Sequence, residues 1–573
     1  MKKNILQIII ITLLIISLSG CTLPQKNESN QSSSTTSVSS QAQNIVITEE
    51  TTIDTSTIFS NRDMEIGYDE NQCTKLTLSD ETITINKEGN YILSGNIKDG
   101  SIIIDVDKSQ KVQLILDGVN INSNSSAAIY VKQADKVFIT LAPNSENTLS
   151  VSGEYVAIDE NNIDSVIFSK SDLTLNGQGK LTVNAEYGHG IVSKDELTIT
   201  SGNYIISSEN HGISANDSIA IASGNFDISS QKDAIHCENS EDTSLGFIYI
   251  ENATFKVNSL QDGISASGNI QIQNGDFDIT TGGGSQNAIK VTNQQFNPGF
   301  EKPKGDKEFN KSQDKIPPKP NQNSNTETQK DMPIASATTT IKEQNSSDTT
   351  VSSKGIKANG NISIQNGQFV INSCDDSIHS NSNVDINGGV FNISAGDDGI
   401  HADTQVNIND GEIIILESYE GIEGQNINIC GGNIDLTSSD DGLNAAGGAD
   451  QSGIENKFGK DSFNADENCY INILGGTINI NASGDGIDSN GNLTVSGGNT
   501  TVYGPTNSGN GALDYNGEAT ITGGTFVAIG ASGMAQNFTN SSTQGAILIN
   551  TQTAQSANST ISIKDSSNNV LLD

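Results

Sequence analysis

Residues 374–413, CDDSIHSNSNVDINGGVFNISAGDDGIHADTQVNINDGEI, say nearly the same thing twice. Each copy opens on two aspartates, a small residue, an isoleucine and a histidine: Asp375-Asp376-Ser377-Ile378-His379, then Asp397-Asp398-Gly399-Ile400-His401. Eleven residues after each isoleucine stands a glycine, Gly389 and then Gly411. Working outward, the same spacing joins Ile191 to Gly202, Ile213 to Gly224, Ile264 to Gly275, Ile356 to Gly367 and Ile487 to Gly498. The repeat length is about 22 residues. Between the marks apolar residues alternate with period two, as in Val384 and Ile386, then Phe391 and Ile393, which reads as strands of three to five residues. Strands that short bury little alone. Coiled into rungs, each pairs in parallel with its equivalent about 4.8 Å away. The expected fold is therefore all-β: a right-handed single-stranded parallel β-helix with about 22 residues and three short strands per rung.

Two details sharpen this expectation. Asn269, Asn361, Asn383, Asn426 and Asn492 occupy one slot before the second strand, where asparagine tolerates left-handed backbone and builds side-chain ladders. The chain has no tryptophan, and propellers of the WD type repeat at nearer 40 residues.

The remainder divides by composition. Residues 1–20, with MKK ahead of the apolar run Ile8–Ile16, read as a secretory signal. It ends Leu18-Ser19-Gly20-Cys21, which resembles a lipobox, so Cys21 is the expected lipidation point and the only membrane attachment. The expected location is the outer face of a bacterial cell membrane, of Gram-positive type. Residues 21–50 form a Ser, Thr, Gln and Asn-rich tether. Residues 51–292 and 351–573 hold the two parts of the helix. Residues 293–350 contain six of the nine prolines and seven lysines between Lys302 and Lys330, and read as a disordered insertion, the one break in register. A net charge of -39 with Arg62 as the single arginine argues against nucleic-acid binding. Cys73, Cys237, Cys374, Cys430 and Cys469 lack CxxC spacing, so they indicate neither a zinc site nor a disulfide framework and read mostly as small buried residues. A monomer is expected.

A solenoid converts a sequence position into a column. The slot before each Gly-Ile holds His189, His211, Asp233, Asp262, Asp376, Asp398, Glu420, Asp441 and Asp485; Asp375, Asp397 and Asp440 precede it. Three residues beyond lie His236, His379, His401, Glu423 and Asp488. One Asp-Gly is simply turn chemistry, with aspartate accepting backbone hydrogen bonds and glycine supplying positive φ. A stack is different. Carboxylates about 5 Å apart repel by roughly 3 kcal/mol per pair at an effective dielectric of 20, so they protonate or gather cations. Oxygen-only donors outside a cell suit Ca²⁺. The expected ligands are Asp375, Asp376, Asp397, Asp398, Glu420, Glu423, Asp440, Asp441, Asp485, Asp488 and Asp514. The histidines are expected neutral near pH 7, and no close pair on one rung suggests a transition metal.

The aspartate pairs and Gly188-His189-Gly190 superficially resemble polygalacturonases, which work with aspartate pairs as acid and base. Inverting hydrolysis places two carboxyls about 6.5–9.5 Å apart across one bond. Here the pairs recur on several rungs with no arginine or lysine uniquely beside them, and Lys357 is the single basic residue in the outer column. A distributed feature favours binding over a polygalacturonate lyase or hydrolase. A calcium-stabilised spacer or adhesin is the third alternative.

The stretches Tyr91-Ile92-Leu93-Ser94-Gly95, Val112-Gln113-Leu114-Ile115-Leu116-Asp117-Gly118, Ser171-Asp172-Leu173-Thr174-Leu175-Asn176-Gly177, Asp440-Asp441-Gly442-Leu443-Asn444-Ala445, Gly484-Asp485-Gly486-Ile487-Asp488-Ser489-Asn490-Gly491 and Leu513-Asp514-Tyr515 resemble clostridial cell-surface carbohydrate-binding-domain-containing lipoproteins. The resemblance runs from about residue 60 to about residue 550. It implies a calcium-binding right-handed β-helix that takes plant-wall polysaccharide, cellulose and pectic acid in the characterised representative, with no established catalysis. Binding an acidic polymer requires Ca²⁺ bridging carboxylate to carboxylate. Neutral glucan calls for aromatic platforms, and Tyr187, Tyr204, Tyr249, Tyr419, Tyr470, Tyr503 and Tyr515 are the candidates. Tyr419, Tyr503, Tyr515 and Lys357 are the residues expected to touch sugar.

Overall fold

The computed structural model describes residues 53, 55, 57–288, 351–445, 465–551, 553–556 and 559–572. The signal segment, the tether with Cys21 and the 293–350 insertion lie outside the described residues. Among the described residues, 42 strands join into one continuous sheet wound on itself, each strand hydrogen-bonded to its equivalent one coil later. The pairing is parallel along the whole sheet. The molecule is a parallel β-helix.

Each regular coil carries three strands, as in Ile378–Ser380, Asn383–Ile386 and Val390–Ala395. Their inward residues form three rows. One runs Ile235, Ile264, Ile356, Ile378, Ile400 and Ile422. The second runs Ile248, Ile270, Ile362, Val384, Val406 and Ile427. In the third, Tyr204, Phe226, Phe255, Phe277, Phe369 and Phe391 stack with ring centroids 4.5 to 5.1 Å apart. The strand spacing of about 4.8 Å is itself a comfortable offset-stacking distance, so one aromatic per coil fills the corner that β-branched residues fill elsewhere.

Glycines eleven residues after the row isoleucines adopt positive φ, as Gly389 at 104° and Gly411 at 120° do. These turn the chain between the second and third strands. The glycines after the acidic slot do something else. Gly399 is not among the positive-φ glycines; a Cβ there would lie 2.6 Å from the carbonyl oxygen of Gly421 on the next coil. The turn reading of Asp-Gly is corrected: this glycine is required by backbone approach between coils.

Other expectations need revision. Among the described residues the slot asparagines are not left-handed, since the only non-glycine positive φ values belong to Asn144 and Asn568. Their ladder is partial: Asn383 Nδ2 donates to Asn361 Oδ1 at 3.1 Å, but Gln405 and Tyr470 interrupt the column. A fuller ladder lies two residues on, where Asn472 donates to Asn428, Asn428 to Asn407 and Asn407 to Asp385 at 2.7 to 2.9 Å. Two long interruptions occur, not one. Ile264 pairs directly with Ile356, and Asn426 with Tyr470, so the coil resumes in register after residues 290–350 and again after 446–464. Cys237 and Cys469 are buried, whereas Cys73 and Cys374 are partly exposed. The last strand of the continuous sheet is Thr525–Ile529; beyond it only Ile563–Lys564 and Val570–Leu572 pair, antiparallel.

Candidate functional site

The acidic slot falls where the chain enters the first strand of each coil, and its chemistry divides between the two carboxylate oxygens. At Asp233, Asp262, Asp376, Asp441 and Asp485 one oxygen accepts the backbone N–H of the slot residue on the next coil. Asp262 N donates to Asp233 Oδ1 at 3.0 Å, Lys354 N to Asp262 Oδ1 at 2.8 Å, Asp398 N to Asp376 Oδ1 at 3.0 Å and Asp485 N to Asp441 Oδ1 at 2.5 Å. Gly511 N does the same to Asp485. The other oxygen is left to meet the outer column, whose members His236, Ser265, Lys357, His379, His401, Glu423, Asn444, Asp488 and Asp514 pair in register.

What that second oxygen meets changes along the helix. At the N-terminal end the partners are histidines: His236 Nδ1 lies 2.7 Å from Asp233 Oδ2, and His211 stacks on His236 at 4.2 Å. Burial pushes His189 down to about 3 and His211 to about 4, so both are neutral at pH 7 as expected. His236 goes the other way: burial lowers it, but Asp233 and Glu238 more than offset that.

In the middle the partners are lysines. Sequence reasoning omitted Lys354 from the slot, although Ser353-Lys354-Gly355-Ile356 fits the pattern. Its ammonium is buried, 2.9 Å from Asp375 Oδ1 and 2.5 Å from Asp376 Oδ2. The expectation that no basic residue stands beside the acid pairs is therefore corrected. Burial raises Asp376, but Lys354 and the His379 hydrogen bond outweigh it and hold the carboxyl below the usual range. Asp375 moves up, driven by burial and by Asp376. Asp397 joins these two within reach of one ion, yet Lys354 already supplies a cation to that trio. Lys357, expected to touch sugar, instead pairs with Asp262 at 3.2 Å.

Next comes a buried histidine between acids. His401 Nδ1 lies 2.9 Å from Glu423 Oε2 and 3.2 Å from Asp398 Oδ2, while Nε2 lies 3.1 Å from Asp403 Oδ1. Burial would lower His401, but these three carboxylates raise it well above its ordinary value. These carboxylates favour the protonated ring, against the expectation of a neutral histidine. Asp398 is raised well above its usual range by burial and by Glu423, and its Oδ1 is buried without a hydrogen-bond partner.

Toward the C-terminus the columns are acidic apart from Asn444. Asp441, Asp485 and Asp488 each offer an oxygen within 4.8 Å of the others. Burial, then Asp440, Asp488 and Asp485, push Asp441 well above the carboxylate range. Glu420 is raised by burial and by Glu423, and it accepts from Asn444 Nδ2 at 2.6 Å rather than joining the trio. Asp514 lies on the next coil, where Gln536 donates to it.

Of the expected sugar platforms, Tyr503 is 51% exposed, and Tyr187 is also exposed. Tyr419 is half-buried; burial and Asp440 raise its hydroxyl. Tyr515 packs against the core and donates to Asn537 O at 2.5 Å. Tyr204 and Tyr249 are buried and present no open ring face, and Tyr470, part-buried, donates from Oη to Gln405 at 3.3 Å.

The fold and this edge define an acidic β-helical solenoid with a graded column of ionisable groups along it. Residues 79–399 and 399–571 match the model of the carbohydrate-binding domain-containing protein family, and the chain belongs to that family. A carbohydrate-binding domain-containing protein of Acetivibrio thermocellus is 43% identical over 210 residues, 36% of this chain and 73% of that one. The solved polysaccharide lyase-like protein from C. thermocellum, a gadolinium derivative, is 34% identical, covers 37% of this chain and 91% of its own, and superposes with a TM-score of 0.36.

Proposed function

We propose that the protein binds an acidic plant-wall polysaccharide, pectic acid foremost and cellulose secondarily, through Ca²⁺, while tethered to the outer membrane face by lipidated Cys21. The observation that carries this reading is the all-oxygen trio Asp441, Asp485 and Asp488 beside Asp440. Hard oxygen donors that repel one another fit Ca²⁺, which takes six to eight oxygens at 2.3–2.6 Å. Bound there, Ca²⁺ supplies a positive centre that a uronate carboxylate completes. Asp441 and Asp485 are held by the backbone N–H groups they accept, so the trio is oriented before any ligand arrives. Tyr503 offers an exposed ring for a neutral sugar face.

A lyase or hydrolase reading gains one observation, Lys354 beside Asp375 and Asp376. That ammonium is buried and saturated by carboxylates, an arrangement suited to holding charge rather than abstracting a substrate proton.

The test is retention on polygalacturonate and on cellulose, with and without chelator, for the wild type and Asp485→Asn. Calcium-dependent retention that is lost with EDTA and in the variant is expected. Retention unaffected by both would refute the reading; destabilisation by EDTA with no retention would leave a calcium-stiffened spacer. Release of unsaturated, ultraviolet-absorbing products would replace binding with lyase chemistry.

A further inference from the structure

We infer that His379, His401 and Asp403 form a second metal site, specific for a borderline divalent transition metal such as Zn²⁺ and separate from the oxygen-only trio. Its ligand atoms lie within 4.8 Å of one another. The two imidazoles stand on successive coils with ring centroids 4.7 Å apart and planes 8° from parallel. The close histidine pair absent from any one rung is thus made across rungs.

The orientation of the rings carries the argument. His379 Nδ1 is 2.7 Å from Asp376 Oδ2, and a carboxylate there can only accept, so the proton resides on Nδ1. His401 Nδ1 likewise donates to Glu423 and Asp398. Both rings are held from behind by buried carboxylates, which keeps a proton on Nδ1 and turns Nε2 toward the outer edge. This carboxylate–histidine arrangement is the usual support of a metal-bound imidazole. Both Nε2 atoms face short polar side chains from the same edge, Asn381 Oδ1 at 2.9 Å and Asp403 Oδ1 at 3.1 Å. The Nε2 proton of His401 lies between an imidazole and a carboxylate, the place a metal ion takes when it displaces that proton.

Two nitrogens and one carboxylate match Zn²⁺ in the three-ligand sets that leave a fourth position for water or substrate. The two ring planes are near-parallel, so bringing both nitrogens onto one ion at about 2.0–2.2 Å requires the rings to tilt toward each other. Both histidines are buried and Asp403 is partly exposed, so entry is past Asp403. Nitrogen donors disfavour Ca²⁺, which separates this site chemically from Asp441, Asp485 and Asp488. Lys354 meets the same Asp376 oxygen, Oδ2, that faces His379 Nδ1, so a fixed positive charge stands beside the carboxylate that supports the ring.

The test is titration of the full chain, stripped of metal and then saturated with Ca²⁺, with Co²⁺ as a spectroscopic stand-in for Zn²⁺. An intense visible absorption of four-coordinate Co²⁺, saturating at one equivalent and displaced by Zn²⁺, is expected. Asp403→Asn at the rim and His379→Asn should abolish it, and Asp376→Asn should weaken binding by about 10–100-fold. Circular dichroism of each variant establishes that the coil persists; Asp403→Asn, partly exposed, serves if His379→Asn does not fold. Absence of the band, its survival in the Asp403→Asn variant, or its loss in Asp488→Asn would overturn the assignment, the last by placing the ion in the acidic trio.

Discussion

Replacing Lys354 with methionine removes one cation from between two carboxylates and keeps most of the side-chain volume. Asp376 is 0% exposed and its Oδ2 lies 2.5 Å from the ammonium, so solvent offers little relief. Breaking a buried ion pair from one side costs about 3–5 kcal/mol. Asp375, more open, contributes less. A long repeat array does not unfold in two states, so a global midpoint is the wrong gauge. Hydrogen exchange of the Asp398 amide, which donates to Asp376 Oδ1 at 3.0 Å, reports the coil directly. At pH 7 the opening free energy of that amide should fall by about 3–5 kcal/mol. The pH dependence is the sharper check. In the wild type the Asp376 carboxyl is held below its unfolded value, so its contribution is present above the ordinary carboxylate range and lost only as pH falls through the depressed folded value. Without Lys354, burial acts with less opposition, the folded value rises, and protonation relieves the penalty. The gap between variant and wild type should therefore narrow as pH drops from 7 toward 4. A deficit under 1 kcal/mol at pH 7, or one that stays constant with pH, would refute the assignment of Lys354 as counter-charge.

Gly399→Ala should destabilise its coil by about 1–3 kcal/mol, since the new Cβ meets the Gly421 carbonyl at 2.6 Å; Gly67→Ala, with nothing within 4 Å, is the control, expected within about 0.5 kcal/mol, both read as the opening free energy of local amides by hydrogen exchange. His401, raised well above 6.5 when folded, contributes stability that is complete below 6.5 and lost as pH rises through the folded value. Protection of the amides around Ile400 should accordingly weaken on going alkaline, and His401→Asn should flatten that slope.

The coil was legible because its signal is redundant: an isoleucine, a glycine and two alternating strands recur wherever a rung exists. Single-residue roles were harder. Lys354 keeps the Gly-Ile frame but breaks the acidic pattern, so a search for carboxylates passes over the residue that neutralises two of them. The environment of His401 is hard to read from its column, because Asp398 and Asp403 on its own coil and Glu423 on the next act together on one buried ring. The break after Ala445 left no proline-rich mark comparable to the 293–350 segment, and only strand pairing across it reveals that the coil resumes. Tyr204 and Tyr503 look alike in sequence; the first faces inward at the head of the aromatic stack, the second outward.

The division of labour between the two oxygens of Asp233, Asp262, Asp376, Asp441 and Asp485 has a wider consequence. Holding the next coil's N–H needs one oxygen and nothing more, so selection can rewrite the outer partner of the second oxygen, histidine here, lysine there, acid further on, without disturbing the spine. Chemistry along this edge is then inherited coil by coil: duplicating or deleting a unit adds or removes one ionic character as a whole, and neighbouring coils keep theirs.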